Sequence, residues 1–141
     1  MTLKLFDDFM RTESRAKRRR EPSFAFLNRS SRAEYDLIRD LLETWFAEIP
    51  SDHKSELRSR FRSKDAGAHT GAQFELMLHE LMRQLGMTIE IHPQSIRTTR
   101  PDFSVAGEGG RFYLEATDVN PRTSLFADHP PEDPLPLIFT T

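Results

Sequence analysis

The chain has 141 residues, 37% hydrophobic and 30% charged, with a formal net charge of -2 and no cysteine. That composition supports one soluble domain with a single core, and it excludes disulfides, thiolate metal sites and a uniformly basic nucleic-acid coat. With no run of about 18 apolar residues, and an N-terminus too polar for the apolar part of a signal peptide, a cytoplasmic location and no membrane partner are expected.

Residues 1–29 read as a basic N-terminal arm with little core value, carrying the run Arg15, Ala16, Lys17, Arg18, Arg19 and Arg20 before Glu21 and Pro22. Such runs either contact phosphate or simply solvate an arm. Residues 30–66 form a helical N-terminal region. Ser31 and Glu34 have capping-box spacing, and Ile38, Leu41, Leu42, Trp45, Phe46 and Ile49 recur at helical intervals, so a helix is expected over 31–49 and stopped by Pro50. Ser51 or Asp52 can cap a second helix reaching Arg62, polar apart from Leu57 and Phe61 and therefore expected on the surface.

In residues 67–119, Gly67 to Gly71 reads as a break. After it Phe74, Met77, Leu78, Leu81, Met82 and Leu85 make an apolar helical stripe ending at Gly86. Three extended pieces follow: Met87 to Ile91, Asp102 to Val105, and Arg111 to Val119. The turn Gly107, Glu108, Gly109, Gly110 joins the last two. Prolines at 121, 130, 131, 134 and 136 make residues 120–141 an irregular tail that depends on another chain or on a further C-terminal portion. The fold class is α/β in the α+β sense.

Strand alternation puts Phe112 and Leu114 on one face and Tyr113, Glu115 and Thr117 on the other; Phe103 and Val105 share the apolar parity, so Asp102 and Ser104 join Glu115. Two converging carboxylates repel unless a cation lies between them. Without thiolates that cation is a hard one, magnesium or manganese.

Pro101 and Asp102, then a hairpin, then Glu115, Ala116 and Thr117 resemble the two motifs of the PD-(D/E)xK, or restriction endonuclease-like, nuclease superfamily. The resemblance covers residues 67–118. It implies a partial α-β-β-β nuclease core with a mixed sheet, after N-terminal helices. It also implies metal held by Asp102, Glu115, the Ala116 carbonyl and Glu75, with Glu75, Asp102, Glu115 and Thr117 as the catalytic positions. Glu75 lies beside Phe74 and Leu78 at the edge of the helical stripe, as the family's first acidic residue does, whereas Glu80 lies on the far side. The implied activity is magnesium- or manganese-dependent hydrolysis of DNA phosphodiesters in restriction, repair or defence. The expected partners are DNA and, to complete the core, a second copy of the chain or another chain. Thr117 stands where the family has lysine, so the positive charge must come from Arg111, Arg100 or His79, or the domain is a degenerate nucleic-acid-binding or assembly module.

Overall fold

Proline begins two of the helices, because its fixed φ suits a helix entrance and its missing N–H is needed by no helical carbonyl there. In the computed structural model, which describes residues 2–91 and 102–115, α1 (Ser23–Arg29) follows Pro22 and α3 (Ser51–Phe61) follows Pro50. Between them lies α2 (Ala33–Ala47), whose N-cap position is Arg32 and which has no side-chain cap, so the expected Ser31–Glu34 capping box does not form. The Ser31 N–H instead donates to the carbonyl of Glu13 at 2.9 Å.

α4 (Ala66–Gln84) begins earlier than the glycines suggest. The Asp65 carboxylate accepts from the Ala68 N–H at 3.0 Å, and the His69 ring hydrogen-bonds the Phe61 carbonyl at 2.6 Å. These contacts offset the roughly 1 kcal/mol that each of Gly67 and Gly71 costs inside a helix. Gly86 ends it at φ 74°, and the Met87 N–H reaches back to the Met82 carbonyl at 3.1 Å.

The main core joins Leu5, Phe6, Phe24, Leu42, Phe46, Ile49, Leu57, Phe61, Ala72 and Leu76. Phe6, Phe24 and Phe61 form an aromatic triangle with ring centres 5.5–6.0 Å apart. Two expectations are corrected here. Residues 1–29 place Leu5, Phe6, Phe24 and Phe26 in the interior, and α3 seals the core through Leu57 and Phe61 rather than lying loosely on the surface.

The α4 stripe is also corrected. Of its six residues, Met82 is buried and Leu78 packs against the sheet, but Phe74, Met77, Leu81 and Leu85 are 40%, 43%, 49% and 59% exposed, and the buried residues of α4 are His69, Ala72, Glu75, Leu76, His79, Glu80 and Met82. A helix buries whichever face its neighbours can satisfy, and here partners for His69 and Glu75 come from α3 and those for Glu80 from α4 itself.

Three strands follow: β1 (Thr88–Ile91), β2 (Phe103–Gly107) and β3 (Gly110–Leu114), in spatial order β1-β2-β3. Both pairings are antiparallel, so among the described residues the expected mixed sheet has no parallel pair. Glu108 and Gly109 make a two-residue loop, and Gly110 takes φ 121°, a conformation that side-chain-bearing residues rarely adopt. Phe103 and Val105 pack with Met82, Leu78, Met87, Ile89, Ile91 and Leu114, which seats one sheet face on the end of α4. The architecture is mixed α+β. No helix among the described residues is long and apolar enough to cross a membrane.

Candidate functional site

The polar face of the sheet is defined by strand register. Ser104 lies opposite Glu90 on β1 and Tyr113 on β3, and Ala106 lies opposite Arg111. Partners across an antiparallel pair share a face, so Glu90, Ser104, Arg111 and Tyr113 all point away from Phe103 and Val105. The register ends at the Phe103–Leu114 pair, and Asp102 and Glu115 are the residues just outside it, one before β2 and one after β3. Asp102 is half-buried and Glu115 exposed.

Arg111 leans diagonally along the face, its Nη1 donating to Ser104 Oγ at 3.1 Å and lying 3.9 Å from Glu90 Oε2. Ser104 is only 2% exposed beneath this contact. Among the described residues, the strand register places the Glu90 carboxylate and the Arg111 guanidinium on this face.

Glu75 is placed elsewhere. It is 6% exposed, and Arg60 on α3 grips both of its oxygens, with Nη1 donating to Oε1 at 3.0 Å and Nη2 to Oε2. Arg60 also holds Glu56. Burial opposes the Arg60 charge, but its hydrogen bonds to Glu75 and Glu56 outweigh this and raise its pKa well above the usual range. A small cavity of about 10 Å³ adjoins Glu75, walled by Ile49, His53, Glu56, Leu57, Ile91 and Phe103. Ile91 and Phe103 belong to the apolar sheet face, so Glu75 sits on the side of the sheet opposite Glu90, Ser104 and Arg111.

Glu80 is also sequestered, accepting from Arg83 at 2.9 and 3.0 Å and from Gln84 at 3.0 Å. The Arg83 hydrogen bonds lower its pKa. His79 is 5% exposed, with Nδ1 unpartnered among the described residues, and burial lowers its pKa. It packs beside the Phe103 ring, centres 6.4 Å apart, so it does not supply a cation to the polar face. Ala116, Thr117 and Arg100 lie outside the described residues.

No family model matches this chain, and neither the curated proteins nor the solved structures contain a significant match to it. Among the described residues no three histidine, aspartate or glutamate side chains converge as a metal cluster would. A magnesium site needs fewer protein ligands, since the ion keeps several waters and commonly uses one or two carboxylates plus substrate phosphate.

Arg60 and Glu90 are the participants that sequence reasoning missed. Alternation with Ile89 and Ile91 could have flagged Glu90. Nothing local marks Arg60, because its role comes from the packing of α3 on α4.

Proposed function

We propose that this chain is a divalent-metal-dependent nuclease that hydrolyses DNA phosphodiester bonds, in restriction, repair or defence, on a partial restriction endonuclease-like core made of α4 and the three strands. The observation that supports this reading is the β2–β3 register, which ends at Phe103–Leu114 and so leaves Asp102 and Glu115 at adjacent ends of the two strands, on a hairpin whose polar face bears Arg111. Asp102 and Glu115 offer the oxygen donors that suit magnesium or manganese. When bound, the metal supplies Lewis-acid activation of water and charge neutralisation at the phosphate. Arg111 offers a fixed positive donor for the phosphate oxygens, the role that Thr117 as a neutral residue cannot fill.

The test is cleavage of supercoiled plasmid with magnesium or manganese. The expected result is slow nicking that is lost in both Asp102→Ala and Glu115→Ala; nicking that survives both substitutions overturns the assignment. A second reading, a degenerate nuclease-like module that binds nucleic acid or another protein without cutting, is favoured by the Arg60 grip on Glu75, which occupies the acid that the resemblance gives to the metal. DNA binding with no cleavage in wild type would select it.

A further inference from the structure

Residues 15–20 form an exposed basic loop with both ends tied to the start of the helical region. On its leading side Glu13 pairs with Ser30 in a short parallel bridge, and Arg32 Nε donates to the Ser14 carbonyl at 2.7 Å. On its trailing side Arg29 donates through Nε and Nη2 to the Glu21 carboxylate at 2.6 and 2.8 Å. The same guanidinium reaches back to the carbonyls of Arg15 and Ala16, both at 3.3 Å. It lies over the Phe26 ring, 5.2 Å from the centre, and its side chain is only 17% exposed. Those hydrogen bonds hold the Glu21 carboxyl down to about 2, so it stays ionised.

Between these anchors the Glu21 N–H donates to the Arg18 carbonyl at 3.1 Å, closing a tight turn over Arg19 and Arg20. The Glu21 carboxylate also accepts from the Arg18 N–H at 3.1 Å. Among the described residues, the Lys17, Arg19 and Arg20 side chains make no ion pair or hydrogen bond. The protein therefore holds mutually repelling cations in one ordered turn and leaves their charge open to solvent. Ordering them beforehand removes an entropy cost that a flexible arm would meet on binding an anion.

We propose that the Arg18–Glu21 turn, held by Arg29, is a preorganised contact site for the phosphate backbone of nucleic acid. Guanidinium forks match phosphodiester oxygens. No large apolar side chain lies between Ser14 and Glu21 to enter a lipid surface, which favours nucleic acid over a membrane. Contacts of this kind give affinity and register without reading bases. The site deepens the nuclease reading and rests on it for the choice of polyanion, while binding is measured apart from cleavage.

The experiment is fluorescence anisotropy of a labelled DNA duplex in EDTA across a salt series, with circular dichroism confirming the fold of every variant. Arg19→Ala/Arg20→Ala should lower the slope of log affinity against log salt by about 1.8, and the affinity near 0.1 M salt by on the order of fiftyfold. Arg29→Lys, which keeps the charge but removes the fork, should weaken binding about fivefold. Lys4→Ala/Lys64→Ala removes equal charge elsewhere and should change affinity far less. Equal losses in the two double variants, unchanged binding in Arg29→Lys, or tighter binding to phosphatidylserine vesicles than to duplex would each overturn the proposal. Binding that is lost as expected while plasmid cleavage is absent would leave this site standing and remove only the nuclease reading.

Discussion

Arg60 and Glu75 close the seam between α3 and α4 with a two-pronged ion pair, the arginine 29% and the glutamate 8% exposed at the side chain. The pair lets α4 bury a carboxylate beside Leu57 and Phe103, and it turns an acid that the sequence offers as a ligand into a packing element.

Removing one partner strands the other. Arg60→Ala should destabilise the fold by about 2–3 kcal/mol, below the 3–5 typical of a fully buried pair because Arg60 keeps some contact with water. Adding Glu75→Gln should recover part of that loss, since the uncompensated charge is gone. Denaturant unfolding of wild type, both single variants and the double variant measures the coupling.

Burial lowers the pKa of His79 from the ordinary 6.5, although Glu80 and Glu48 act in the opposite sense. The unfolded chain therefore binds the proton more readily than the native one. Stability should rise with pH up to 6.5 and be flat above it as far as this group is concerned. His79→Leu should flatten that part of the profile. Thermal unfolding at about pH 5.5 and about pH 7.5 reads the difference.

Arg111 reaches across the polar face to Ser104. If it supplies the charge that Thr117 lacks, Arg111→Ala should slow plasmid nicking about a hundredfold, the effect of losing roughly 3 kcal/mol of transition-state stabilisation. Thr117→Lys added to that variant should restore part of the rate. A full wild-type rate in Arg111→Ala would remove Arg111 from the site.

The two faces of α4 should respond unequally to truncation. Leu76 is fully buried and Leu81 is 49% exposed. Leu76→Ala should cost about 2–5 kcal/mol, and Leu81→Ala well under half of that. Chemical denaturation of the two variants checks the assignment of the inward face.

Local rules carried α2, α3, the end of α4 and the hairpin, but not α1 or the start of α4. Pro50, Gly86 and the Gly107–Gly110 turn punctuate the chain where helix geometry or a positive φ requires them. Strand alternation was sufficient to put Ser104 with Tyr113 and Phe103 with Leu114, because side-chain direction in a strand follows from parity alone. What parity and periodicity could not decide was which surface each element meets. Most of the apolar stripe of α4 stays half-exposed while a face with two histidines and two glutamates turns inward, because Arg60, Arg83 and the Phe61 carbonyl partner Glu75, Glu80 and His69. Leu5 and Phe6 join the core from a segment with no periodicity, held there by the Phe24 and Phe61 rings and by Glu43, which accepts from the Phe6 N–H at 2.7 Å. Those partners lie 18 to 55 residues away in the chain, so only the assembled tertiary structure brings them together.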